Sequence, residues 1–167
     1  MAFVSLCNYG FKGMRYFMTA LNLPNFSFRY KEEAGKKFIF DGVRRKFVVL
    51  TPEEWVRQNF IRYMHEYLKY PPGLTGVEKM VKVGGMAQRC DVVIYNRLGN
   101  PALIVECKAP SIEIDEAALA QAARYNTAVR VPYLVLTNGM KHFCVYTNPH
   151  TGDYSVLDSF PAFKDLQ

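Results

Sequence analysis

From Phe26 to Leu50 apolar and polar residues alternate, which sets successive side chains on opposite faces of short strands. Three are predicted, Phe26 to Tyr30, Lys37 to Phe40 and Arg44 to Leu50, with Asp41-Gly42 as a turn, and they are expected to pair antiparallel. The period then changes. Val56, Phe60, Tyr63, Met64 and Tyr67 recur at helical spacing, and Thr51-Pro52-Glu53-Glu54 ahead of them reads as a helix start. Thr51 is the N-cap, Pro52 fits the first helical position, and a glutamate stands three residues after the cap. This helix is predicted to run to about Lys69, before Pro71-Pro72-Gly73 stops it.

Glu78 to Val83 reads as a further strand and Gly84-Gly85 as a turn. Two β-branched runs follow, Cys90 to Tyr95 and Ala102 to Lys108, joined by a turn at Asn96 to Pro101. After Pro110, Asp115 is a predicted N-cap and Glu116 to Ala128 an alanine-dense helix able to pack closely on a sheet. Tyr133 to Thr137 reads as a buried strand, Asn138-Gly139 as a type I′ turn and Lys141 to Tyr146 as the return strand. The last segment, Asn148 to Gln167, holds one short apolar stretch and no recognisable chemistry. The order of elements predicts an α/β domain with a central mixed sheet flanked by helices and an N-terminal antiparallel β extension.

The chemistry is concentrated in the hairpin. Asp91 on its first run, and Glu106 and Lys108 on its second, are charges inside strands that otherwise read as buried. A turn centred between Leu98 and Gly99 sets the pairing so that Asp91 lies opposite Glu106. Alternation then puts Lys108 on the face of Glu106 and turns Val105 and Cys107 the other way. Two adjacent carboxylates repel unless a cation lies between them, and oxygen ligands suit Mg2+. Because Cys107 faces away from the carboxylates and no histidine stands beside it, a cysteine nucleophile is not expected.

Composition narrows the setting. The chain has 167 residues, enough for one domain with a sizeable core, and a formal charge of +6 that favours an anionic partner. Cys7, Cys90, Cys107 and Cys144 lie far apart and form neither a zinc pattern nor a disulfide framework, so reduced thiols in a cytoplasm are expected. No apolar run approaches the roughly 18 residues of a membrane span. The basic residues Lys36, Lys37, Arg44, Arg45 and Lys46 form either a solvated hairpin face or a surface contacting phosphate. His65, His142 and His150 are isolated and read as polar residues without a catalytic role.

Asp91, fourteen intervening residues, then Glu106-Cys107-Lys108 resembles the D…ExK signature of the PD-(D/E)XK, restriction-endonuclease-like nucleases. Around it stand R-x-D-V-V-I-Y-N, V-E-C-K-A-P, Q-A-A-R-Y-N and P-Y-L-V-L-T-N-G. In that order they resemble the N-terminal nuclease domain of the type I restriction enzyme R subunit, in its small stand-alone bacterial form, over roughly Leu21 to Phe163. Cys90 rather than proline precedes the aspartate, which is usual in this branch.

The resemblance implies a single nuclease-like domain over residues 18–167, with a catalytic core at about 51–147. Residues 1–17 fall outside it, as an extension that is poorly ordered, an interaction arm, or an upstream start with Met18 as alternative initiator. It implies Mg2+, with Mn2+ as substitute, held by Asp91, Glu106 and the Cys107 carbonyl, and hydrolysis of a DNA phosphodiester in a restriction or DNA-processing setting. Lys108 would orient the attacking water or stabilise charge. Gln121, four residues before Tyr125 on the second helix, would reach the site, and Arg124 and Tyr125 would contact nucleic acid.

A third acid from the first helix is implied at Glu53, which lies in line with the buried stripe, while Glu54 closes the capping box. The other reading of Glu53 is a charge complementing the helix dipole. No G-x-x-x-x-G-K-[ST] occurs, so a motor is expected on another chain, with a specificity protein or a homodimer as further partners. The competing function is a non-catalytic restriction-like domain that binds nucleic acid or docks to a partner, its charges kept for structure.

Overall fold

The computed structural model describes residues 18–83, 86–129 and 131–166, so the expectations for residues 1–17 and for the Gly84-Gly85 turn lie outside the described residues. Three strands, β1 (Tyr30–Glu33), β2 (Lys36–Asp41) and β3 (Lys46–Val49), form an antiparallel sheet. Helix α1 (Pro52–Glu66) follows, then β4 (Thr75–Val83), β5 (Met86–Tyr95), β6 (Pro101–Cys107), α2 (Glu116–Val129), β7 (Tyr133–Thr137), β8 (His142–Thr147) and β9 (Tyr154–Leu157). The last six strands make one sheet in sequence order, antiparallel except where β7 runs parallel to β6. A parallel neighbour needs a crossover, and α2 supplies it.

Alternation along the sheet separates two cores. Val92, Ile94, Leu103, Val105 and Cys107 face Val56, Phe60, Ile61 and Met64 of α1. Val93, Ile104, Leu134, Leu136 and Val145 face the other way, against Ile114 and Leu119. The result is α/β with a mixed sheet between two helices and an antiparallel extension ahead of them, as the residue pattern predicts. No helix among the described residues is long and apolar enough to cross a membrane.

The differences are local and have physical causes. The first strand starts at Tyr30, not Phe26; Phe28 instead packs edge-on against Trp55, with ring centroids 5.6 Å apart. The helix ends at Glu66, three residues short of Lys69, and Tyr67 at the end of its stripe is exposed. The link between β7 and β8 is not a type I′ turn, because Gly139 has a positive φ (80°) and Asn138 does not. Asn138 closes this loop with its side chain, Oδ1 accepting from the N–H groups of Met140 at 3.0 Å and Lys141 at 2.8 Å. The apolar stretch near the C-terminal end is a ninth strand, paired antiparallel to β8.

Candidate active site

The hairpin register follows from its turn. Asn96 Oδ1 accepts from the N–H groups of Leu98 and Asn100, and Gly99 takes the positive φ (82°) the reversal requires. Val92 pairs with Val105 as the last step of the regular ladder, and the expected pairing of Asp91 with Glu106 lies one step beyond it. A register shift at Ile94/Tyr95 lies on the turn side and does not reach this step. Regular β5–β6 pairing ends at Val92, where the Asp91 side chain takes over: Oδ2 accepts the Cys107 N–H at 2.8 Å. Glu106 and Lys108 share a face, with Lys108 Nζ donating to Glu106 Oε1 at 2.7 Å, while Cys107 points into the α1 core.

Glu106, Lys108 and Gln121 line one cleft of about 660 Å3 between α2 and the sheet, together with Cys90, Ile104 and Leu136. Gln121 is exposed on α2 and lines this cleft. The side chains of Arg124 and Tyr125 lie outside the described residues. Lys108 is held above its ordinary pKa by its hydrogen bond to Glu106. Burial pushes Cys107 well up and Cys90 up to about 11, so neither is a thiolate at neutral pH.

Helix α1 delivers the remaining charges, and here the two glutamates exchange places. Thr51 Oγ1 accepts the Glu54 N–H at 3.0 Å, so the N-cap forms. The Glu54 carboxylate does not serve the capping box. It is buried, 7 % exposed, and accepts from Arg44 Nη2 (2.7 Å), Gln58 Nε2 (2.8 Å) and Arg57 Nη1. Glu53, expected to be the inward one, is 46 % exposed but lies at the site, accepting from Arg57 Nη2 at 2.9 Å. The reason is non-local: two guanidiniums converge on the Glu54 side of the helix and draw that carboxylate in.

Arg57 is the residue the sequence reading missed. Its side chain is 6 % exposed, and its Nη2 donates to Asp91 Oδ1 at 2.8 Å as well as to Glu53. Burial alone would lower its pKa, but Asp91 and the two glutamates hold it raised. Its spacing of three and four residues after Glu54 and Glu53 is a helical ion-pair signal that would have found it. Glu78, between the β4 residues that pair with Val92 and Cys90, takes a positive φ (52°) that non-glycine residues seldom adopt. It accepts from Arg44 at 2.6 Å and from Arg89, and although burial works against it, these cations hold its carboxyl below the ordinary value.

Arg44 does not offer itself to phosphate. The Asp41 carboxylate fixes the β2–β3 turn by accepting from the Val43 and Arg44 N–H groups, and it also pairs with Arg44 Nε. Arg44 is left 13 % exposed and shared among Asp41, Glu54 and Glu78, while Arg45 and Lys46 remain exposed. The basic cluster is therefore split between an internal charge knot and the surface.

Burial and the neighbouring Asp91 raise the Glu53 carboxyl above the usual glutamate value. Such a group supports the fold while protonated and loses that contribution as pH rises through its folded pKa. Thermal melts of wild type and Glu53→Gln should show the wild type gaining stability relative to the variant as pH falls from neutral toward the ordinary glutamate pKa. A difference independent of pH would contradict this. Glu54→Ala, by contrast, should destabilise by about 3–5 kcal/mol, because it strips a partner from the buried Arg57 and the largely enclosed Arg44.

The class the fold defines is α/β, with a six-stranded mixed sheet beside a three-stranded antiparallel one. The chain belongs to the family described as type I restriction enzyme R protein N terminus (HSDR_N), whose model matches residues 52–161. It is also similar to the fragment structure of a putative HsdR subunit of a type I restriction enzyme from Vibrio vulnificus YJ016. That likeness has 19 % identity and a TM-score of 0.43, and it covers 64 % of this chain and 22 % of that one. No curated protein matches the chain.

Proposed function

We propose that this restriction-related domain is a Mg2+-dependent endonuclease hydrolysing DNA phosphodiesters in the bacterial cytoplasm. The observation that carries the reading is Lys108 bonded to Glu106 in the wall of one cleft, with the Asp91 carboxylate accepting the N–H of Cys107, the residue between them. The donor set suits the ion: Mg2+ takes one or two carboxylates and keeps several waters. No three His, Cys, Asp or Glu side chains among the described residues converge as a ligand set, so an all-protein cage is not the model for this site.

Asp91, Glu106 and the Cys107 carbonyl would hold Mg2+, with Mn2+ as substitute. When bound, the ion would activate water and neutralise charge on the phosphoryl group in flight. Lys108, cationic at neutral pH and tethered to Glu106, orients the water or meets the developing negative charge. Gln121 positions substrate from the facing helix. Glu53 adds negative charge beside Asp91, and Arg57 fixes the Asp91 carboxylate. The partners would be DNA and a motor or specificity protein, or a second copy that presents another site.

A second reading is favoured by two contacts. Asp91 has both oxygens engaged, by Arg57 and by the Cys107 N–H, as in a charge cluster kept for structure in a DNA-binding or docking domain. Plasmid cleavage separates the two. The nuclease reading expects Mg2+ or Mn2+ to support nicking that EDTA stops, with nicked circles ahead of linear DNA, because one site attacks one strand at a time. Binding of plasmid without metal-dependent nicking would favour the structural reading.

A further inference from the structure

A second large cleft, about 740 Å3, lies between the segment leading into β1, the β2–β3 turn and α1, and it shares no lining residue with the cleft at Glu106. Arg29, Arg45, Arg62 and His65 stand in its wall, and no aspartate or glutamate does. The chain as a whole has 21 basic residues against 15 acidic, so this wall is far more one-sided than the average surface.

Its arginines are placed in different ways. Arg29 lies over the Phe40 ring, 3.6 Å from the centroid, and has no carboxylate partner among the described residues. Stacking on a ring fixes a guanidinium while leaving its N–H groups free to donate, which lowers the cost of ordering it on a ligand. Arg45 is exposed, held outward with φ 53° by the same Asp41-anchored turn that draws Arg44 in, and it too lacks a carboxylate partner among the described residues. Arg62, near the rings of Phe26 and Phe28, pairs with Glu66 on its own helix and is only partly available.

We propose that this cleft binds the phosphodiester backbone of a nucleic acid strand, with Arg29 and Arg45 as the phosphate contacts and Arg62 as a third. The cleft is far larger than one phosphate group, and its cations come from three separate segments, which suits a chain of phosphates better than a single ion. The choice of ligand rests on the nuclease reading. The phenyl rings already carry guanidiniums or pack on neighbours, so the contact is to backbone and not to stacked bases.

The test is fluorescence anisotropy with a labelled oligonucleotide in EDTA, using the full chain carrying Glu106→Ala so that binding is read without cleavage. Adding Arg29→Ala and Arg45→Ala should weaken binding by about tenfold or more and flatten the slope of log affinity against log salt by about 1.4–1.8, for two lost phosphate contacts. Arg45→Glu alone, on an exposed turn, should weaken binding in a protein whose melting temperature is unchanged. Unaltered affinity and slope in both variants would overturn the proposal, as would displacement of the strand by inorganic phosphate at the same phosphate concentration. The two readings fail separately. Loss of binding in the cleft variants with no metal-dependent nicking by wild type keeps the cleft and removes the nuclease; nicking by wild type with full binding by the variants removes the cleft alone.

Discussion

Arg57→Ala should cost about 3–5 kcal/mol of folding stability. The guanidinium is almost fully buried and bonds Glu53, Glu54 and Asp91 at once, so its removal leaves a buried Glu54 carboxylate dependent on Arg44 and Gln58, and an Asp91 with one oxygen unpaired. Arg57→Lys should recover only part of the loss, because one ammonium cannot reproduce a planar fork reaching three carboxylates. Chemical denaturation of the variants checks this, and a loss within about 0.5 kcal/mol, the scale of an ordinary surface change, would show that the cluster carries no such weight. If Asp91 is a metal ligand, the variant should also gain more stability from Mg2+ than wild type does, since the guanidinium no longer competes for Asp91 Oδ1.

The second large effect concerns chemistry. Glu106→Ala and Lys108→Ala should each lower metal-dependent nicking by about a thousandfold or more, the scale of removing several kcal/mol of charge stabilisation from the transition state. Both groups sit partly exposed at the end of β6, bonded to each other, so neither substitution empties a core position and both variants should fold. Purified variants are compared with wild type at equal concentration, and equal nicking would mark the activity as a contaminant. Nicking lost in Glu106→Ala but kept in Lys108→Ala would remove the lysine from the mechanism while leaving the carboxylates in place.

What the sequence made legible was what local rules govern. The turn at Asn96 to Asn100 was enough to set Val92 against Val105, and the two-residue period of β6 was enough to separate Glu106 and Lys108 from Cys107. The helix start at Thr51 was legible for the same reason. What was not legible depends on partners far along the chain. Glu54 satisfies the local requirements of a capping box, yet Arg44 on a preceding turn and Arg57 draw it inside. Arg44 counts as surface charge by composition, and only the convergence of Asp41, Glu54 and Glu78 makes it internal. Strand β9, with Tyr154 and Val156 exposed, gives no clear alternation of buried and polar positions and is specified by the edge of β8 that it covers.

The central claim is that Asp91 and Glu106 hold a divalent ion for phosphodiester hydrolysis, and the direct measurement is crystallographic. Crystals soaked in Mn2+ and measured at the manganese edge should show one anomalous peak between the Asp91 and Glu106 carboxylates, beside the Cys107 carbonyl, and no peak in Asp91→Asn crystals treated alike. A wild-type site in which Arg57 stays on Asp91 and no anomalous density appears would contradict the account.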